Sequence, residues 1–122
     1  MIKRLDRLDI ATSDLTGAAS TYESNFSFAV IRDGSGESAT IALGDAQIRL
    51  LAGTAAEPSL AATGEGLAAI WLEAEDLDAV EAALRRGGVA FTPIQRAGDR
   101  RVIAVDPKAA NMTPLYIFDR RV

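Results

Sequence analysis

Charged, amide and aromatic side chains occupy alternate positions along four segments that are predicted strands. They are Arg7, Asp9, Gln47, Arg49, Trp71, Glu73, Tyr116 and Phe118. Alternate residues of a strand share one face of its sheet, so each of these pairs is expected to point the same way. Guanidiniums on such a face can hold a carboxylate or phosphate, and aromatic rings can stack on a flat ligand. Such residue types can form a small-molecule site, or their charges can pair with one another and close it.

The amino-acid composition excludes several kinds of active-site chemistry and argues against several classes of binding partner. The 122 residues include no histidine and no cysteine, so the commonest metal ligand, the commonest general base near neutral pH and all disulfides are missing. A net charge of −4 argues against nucleic-acid binding, which needs a basic face. The N-terminus is charged with no apolar stretch behind it, and no run approaches the roughly 20 apolar residues of a membrane span. We therefore expect a cytoplasmic protein with no membrane or nucleic-acid partner.

Turn and cap residues divide the first half of the chain into a strand, a helix and three further strands. Asp14 is placed to cap a helix whose apolar face includes Leu15, Ala18 and Tyr22 and which ends near Asn25. The predicted strands are residues 4–12, 26–32, 38–43 and 46–52. Residues 53–66 are small, polar and punctuated by proline and glycine, which predicts a connector without core residues.

The second half repeats this order of elements. Ser13-Asp14-Leu15 aligns with Glu75-Asp76-Leu77, and Gly87-Gly88 is expected to end the second helix. The predicted strands are residues 67–74, 89–93, 101–105 and 114–119, with a loop over 106–113. The pattern predicts an α+β domain over residues 1–122. It consists of one βαβββ module (residues 1–53), a connector (54–66) and a second βαβββ module (67–122).

Three stretches resemble one known family. LDRLDIATSDLTGAASTYESNFSF resembles the opening of vicinal oxygen chelate proteins, which include glyoxalases, bleomycin-resistance proteins and dioxygenases. WLEAEDLDAVEAALRRGGVAF is similar to the start of their second module, and DPKAANMTPLYIFD is most similar to the closing segment of methylmalonyl-CoA epimerases. The resemblance implies a glyoxalase-like fold, in which two modules form curled half-barrel sheets around a cavity. It also implies a homodimer.

The same resemblance assigns the positions that usually hold a divalent metal, commonly two histidines and two glutamates. They fall on Arg7 and Arg49 in the first module and on Ala69 and Tyr116 in the second. None of these side chains ligates such a cation at neutral pH, and the two guanidiniums repel it. We therefore expect no metal and no other cofactor. The expected ligand-binding residues are Arg7, Gln47, Arg49, Trp71, Tyr116 and Phe118.

Three functions remain open at this point. The first is metal-free binding of a small organic ligand, which can be anionic, in the cavity between the modules. In the second, Asp9 or Glu73 is the general base of a metal-independent isomerase or lyase that acts on a 2-keto or acyl substrate. In the third, Arg7 pairs with Glu73 and Arg49 with Asp9, so that a closed cavity leaves a structural or regulatory domain. Whether the protein is an enzyme stays open.

Overall fold

The computed structural model describes residues 1–120 and has the order of elements expected for two βαβββ modules. The elements are β1 (Ile2–Ala11), α1 (Leu15–Phe26), β2 (Val30–Arg32), β3 (Ser38–Leu43), β4 (Ala46–Leu51), α2 (Gly53–Thr63), β5 (Gly66–Ala74), α3 (Leu77–Arg86), β6 (Gln95–Ala97), β7 (Arg100–Val105) and β8 (Leu115–Asp119). A short 3₁₀ helix, Pro107–Ala110, precedes β8. The α+β class and the repeated βαβββ order are confirmed.

The chain divides into two compact units, and the N-terminal unit is Arg7–Ala68. Its strands follow the order β2-β3-β4-β1, in which β1 runs parallel to β4 and the other pairs are antiparallel. Helix α1 covers one face of this sheet, where Ala19 packs with Ala39, Ile41 and Leu50 in a fully buried cluster. Ile10 packs against the same cluster. The apolar residues of β1 and β4 thus face α1, which leaves their polar alternates on the other face.

The C-terminal unit combines Met1–Asp6 with Ala69–Val122. Within it β5, β8, β7 and β6 lie side by side, with β5 parallel to β8 and the remaining pairs antiparallel. Helix α3 packs its Leu77 and Val80 against Ile103 and Ile117 of the sheet. As in the N-terminal unit, one face of the sheet is apolar and covered by a helix.

Helix N-termini follow the sequence prediction, whereas one C-terminus does not. Asp14 and Asp76 cap α1 and α3, accepting hydrogen bonds from the amides of Gly17 (3.0 Å) and Asp78 (3.0 Å). Helix α1 runs past Asn25 to Phe26 and ends on Ser27, which has a left-handed φ of 57°. The predicted strand 26–32 is shortened accordingly.

Two other segments also differ from the prediction. Residues 53–66, expected as a connector without core residues, contain α2, whose Ala56 is buried against Ala11 and Ala68. Alanine-rich segments favour helix, and a small side chain permits close packing, so low bulk did not exclude a core contact. Residues 89–93, expected as a strand, contribute a single bridge from Phe91 to Val105, and the edge strand is β6 instead. The proline at position 93 lacks the amide that a paired strand donates.

Asp33 at the end of β2 provides a test of the β2–β3 turn. Its carboxylate accepts hydrogen bonds from the Ser35 amide (2.9 Å), the Ser35 hydroxyl (2.6 Å) and the Ser38 hydroxyl. These bonds, chiefly that from the Ser35 hydroxyl, lower the pKa of Asp33 from 3.8 to about 2. A lowered folded-state pKa means that the stabilisation is present above pH 3.8 and is lost as the pH falls through about 2.

We therefore expect Asp33→Asn to flatten the fall in unfolding free energy between these two pH values. Urea titrations at pH 2 to 5 measure this slope, and Asp99→Asn is the control because it alters an exposed carboxylate outside this turn. Equal slopes for Asp33→Asn and the parent would contradict the prediction.

Candidate functional site

The polar face of the N-terminal unit carries the first group of predicted site residues. The strand register sets Arg7 opposite Gln47 and Asp9 opposite Arg49 on β1 and β4. Ile10 and the residues beside it on β4 alternate with these four along the strands, and they pack against α1. The four polar residues therefore lie on the face of the sheet that α1 does not cover. The structure therefore groups these four polar residues as the alternation predicted.

The ion pairs on this face differ from those expected for a closed cavity. Arg7 Nε donates to Asp9 Oδ1 at 3.0 Å, and Asp9 is buried. The expected pair between Arg49 and Asp9 is not formed. Within residues 1–120, the side chain of Arg49 makes no ion pair or hydrogen bond, although it is half-buried. Arg49 therefore presents a guanidinium with unused donors on a partly dehydrated surface.

The second group of predicted residues lies in the C-terminal unit. The register of β5 and β8 sets Trp71 opposite Tyr116 and Glu73 opposite Phe118. The rings of Trp71 and Tyr116 are stacked, with centroids 4.4 Å apart and planes 17° from parallel. Both residues are half-buried, so the pair leaves aromatic surface that a flat group can contact.

Phe118 is placed differently from this aromatic pair. Its side chain has 0% exposure, its ring meets Trp71 edge-on at 6.3 Å, and the Arg100 guanidinium lies 4.4 Å from the ring centroid. This environment gives Phe118 a packing role in the C-terminal unit. Its expected contact with a ligand stays a prediction.

The two carboxylates considered as general bases are both held by arginines. Glu73 is buried, and its Oε1 accepts a hydrogen bond from Arg4 Nε at 2.9 Å. Its Oε2 lies 3.7 Å from Arg120 Nε and 3.9 Å from Lys3 Nζ. As in the pair of Asp9 with Arg7, the carboxylate of Glu73 is already engaged by cations. The arrangement favours neutralised carboxylates over a free general base.

Asp119 and Arg101 form a second polar centre that the sequence prediction missed. Asp119, with 0% exposure, accepts hydrogen bonds from the Leu77 amide (2.7 Å) and from Nε (3.0 Å) and Nη2 (2.6 Å) of Arg101. The carboxylate, chiefly through these hydrogen bonds, raises the pKa of Arg101 above its usual range. The pattern that could have revealed it is a charged residue on the helix-facing side of β8, in line with Ile117. Asp119 anchors the start of α3 to the sheet through the Leu77 amide.

Comparison with known protein families identifies the superfamily of this chain. The family model described as "Glyoxalase/Bleomycin resistance protein/Dioxygenase superfamily" matches residues 4–111. The chain belongs to this superfamily. No curated protein sequence matches it significantly. Among residues 1–120, none of the helices has the length and apolar character needed to cross a bilayer.

Several solved structures have the same fold. Methylmalonyl-CoA epimerase from Mycobacterium tuberculosis is 24% identical, with a TM-score of 0.72 over 99% of this chain and 90% of that one. A variant of the Streptomyces coelicolor methylmalonyl-CoA epimerase, solved in complex with 2-nitronate-propionyl-CoA, is 23% identical, with a TM-score of 0.72 over 100% of both chains. A hypothetical protein from Bacillus halodurans C-125 is 16% identical, with a TM-score of 0.75 over 98% of this chain and 95% of that one. At these identities the likeness establishes the fold.

The residues at the metal positions implied by the superfamily do not suit a divalent cation. Arg7 and Arg49 carry fixed positive charge, and Ala69 has no donor atom. Tyr116, the remaining position, stacks on Trp71. Among residues 1–120, no group of three or more histidine, cysteine, aspartate or glutamate side chains is arranged to hold a metal ion. The donor set therefore disagrees with the metal chemistry of the superfamily.

Proposed function

We propose that the protein binds a small organic anion without a metal ion, and that Arg49 is the main anchor for its carboxylate or phosphate group. The observation that carries this proposal is the half-buried guanidinium of Arg49, which has no hydrogen bond or ion pair within residues 1–120. A guanidinium offers several donors in a fork that matches two oxygens of such an anion. An anion would supply the partner that the protein itself does not.

The surroundings of Arg49 support an anion rather than a cation. Asp9, the nearest carboxylate by register, is engaged by Arg7, so it does not neutralise Arg49. Gln47 is exposed on the same strand and adds an amide that can donate or accept. The face therefore combines one occupied ion pair, one unpaired cation and one neutral polar group.

The stacked pair of Trp71 and Tyr116 offers aromatic surface to a ligand within the C-terminal unit. A half-buried stack of two rings favours an aromatic or flat acyl group. Related epimerase structures hold methylmalonyl-CoA or 2-nitronate-propionyl-CoA, both of which are organic anions. Acyl-CoA thioesters are accordingly the first class to test, together with aromatic carboxylates.

We expect Arg49→Gln to weaken the binding of such an anion by about ten- to a hundredfold, the usual effect of losing a charge-assisted hydrogen bond. A thermal-shift screen of acyl-CoA thioesters and aromatic carboxylates identifies the anion, and calorimetry then gives its Kd for the parent and the variant. Arg96→Gln is the matched control, because Arg96 is exposed on the edge strand β6. Equal losses in both variants, or no stabilising anion in the screen, would refute the proposal.

Elemental analysis tests the metal-free part of this proposal separately. Protein purified without chelator is expected to contain well below one equivalent of zinc, nickel, manganese and iron per chain. A full equivalent of any of these metals would overturn this part of the proposal while leaving the role of Arg49 to the binding experiment.

A further inference from the structure

A groove of about 630 Å³ runs along α1 within the N-terminal unit. The residues that line it include the end of β1 together with Ala18, Tyr22 and Phe26 of α1. This volume is within the range of about 300–1,000 Å³ that is usual for small-molecule sites. The groove lies beside α1, whereas Arg49 lies on the sheet face that α1 does not cover.

Two carboxylates at one end of the groove each have an unused oxygen. Glu65 Oε1 accepts hydrogen bonds from the Ser13 amide (2.8 Å), the Ser13 hydroxyl (2.6 Å) and Thr12 Oγ1 (3.3 Å). Asp14 Oδ1 accepts the helix-capping bond from the Gly17 amide at 3.0 Å. Within residues 1–120, neither Glu65 Oε2 nor Asp14 Oδ2 has a hydrogen-bond partner. One oxygen fixes each side chain, and the other remains available.

The charge of this end of the groove is negative at neutral pH. The hydroxyl and amide of Ser13 lower the pKa of Glu65 below its ordinary value, so its carboxylate is ionised. No lysine or arginine is among the residues that line the groove. A ligand that enters this end therefore meets two carboxylates whose charge no lining residue neutralises.

The other end of the groove is aromatic. The rings of Tyr22 and Phe26 are 5.9 Å apart at 36°, and Phe26 is 58% exposed, so its ring is accessible to a ligand. Ring faces carry partial negative charge, so they attract a cation as well as an apolar body. Both ends of the groove thus favour the same class of ligand.

We infer that this groove is a second binding site, for a small organic cation with a flat apolar body such as a protonated arylalkyl amine. The ammonium group donates to Glu65 Oε2 and Asp14 Oδ2, and the aromatic body lies against Tyr22 and Phe26. The site goes beyond the proposed anion-binding function, because it lies beside α1 and has the opposite charge preference.

Calorimetric titration with 2-naphthylmethylammonium chloride tests this site, and neutral 2-naphthylmethanol serves as the isosteric comparison. The amine is expected to bind about tenfold more tightly than the alcohol, and Glu65→Gln is expected to remove about that factor by losing one charge-assisted contact. Phe26→Leu, which removes an exposed ring that the naphthyl group contacts, is expected to weaken binding several-fold and keeps the inference testable if Glu65→Gln fails to fold. Glu57→Gln, an exposed carboxylate on α2, is the matched control and is expected to leave the Kd unchanged.

Two results would overturn the inference. One is equal affinity for the amine and the alcohol. The other is an unchanged Kd in both Glu65→Gln and Phe26→Leu. Arg49→Gln is expected to bind the amine as the parent does, so failure of the anion proposal and failure of the cation site are separate outcomes. Amide chemical shifts of Thr21 and Asn25, which line the groove, are expected to move on titration with the amine.

Discussion

Replacing Asp119 by alanine is expected to lower the free energy of unfolding by about 3–5 kcal/mol, the usual effect of removing one partner of a buried ion pair. The substitution removes three hydrogen bonds at once, two from Arg101 and one from the Leu77 amide. It leaves a helix N-terminal amide without an acceptor at a site where Asp119 has 0% exposure. The start of α3 would lose its direct attachment to β8.

Urea denaturation followed by circular dichroism measures this change. Asp99→Ala is the matched control, since Asp99 also faces an arginine, at 3.3 Å from Arg120, but its side chain is 78% exposed. The control is expected to alter stability by about 1 kcal/mol or less. Asp119→Asn, which keeps one carbonyl acceptor, should fall between the two. A loss below about 1 kcal/mol for Asp119→Ala would show that the buried pair does not hold α3.

Replacing Phe118 by alanine is expected to destabilise the protein by about 3–5 kcal/mol, the range for truncating a buried aromatic residue. The ring is fully buried, so its removal leaves a cavity between Trp71 and the guanidinium of Arg100. Part of the loss comes from the cation–π contact, for which an Arg100 guanidinium 4.4 Å from the ring centroid is well placed.

Phe26→Ala is the control for this substitution, because it removes the same side chain from a position that is 58% exposed. The two variants are expected to differ by at least about 2 kcal/mol in their free energy of unfolding, measured by urea denaturation. Both replace phenylalanine by alanine, so the difference comes from the burial of the ring that is removed. A similar loss in both would mean that Phe118 does not contribute to the core as its burial indicates.

The proposed sites place opposite charges on different parts of the N-terminal unit. On the sheet face that α1 does not cover, Arg7 neutralises Asp9, and Arg49 has no ion-pair partner within residues 1–120. Beside α1, Asp14 and Glu65 are fixed through one oxygen each and retain their charge. Each preference depends on which polar groups the protein has already paired, and a count of charged residues does not reveal this pairing.

The sequence by itself determined the two βαβββ modules and the identity of the residues on each sheet face. Side chains on a strand alternate between its faces, so the assignment of Arg7, Asp9, Gln47 and Arg49 to one face required only the limits of two strands. The starts of the helices could also be predicted from the sequence, because Asp14 and Asp76 cap them through local hydrogen bonds. The mismatch with a metal site followed from the positions that the family resemblance assigns and from the residue types found there.

Only the tertiary structure decided which charges are paired and which side chains are covered. Arg7 and Arg49 are the same residue type on neighbouring strands, yet Arg7 binds Asp9 and Arg49 does not. In the sequence Asp119 is an ordinary residue at the end of a strand. In the folded protein Leu77 and Arg101, which are distant in sequence, both donate hydrogen bonds to it. The charge at one end of the groove beside α1 likewise comes from Glu65, which is held there by a hydrogen bond from Ser13. Pairing and burial depend on contacts between residues far apart in the chain, and local periodicity carries no information about those contacts.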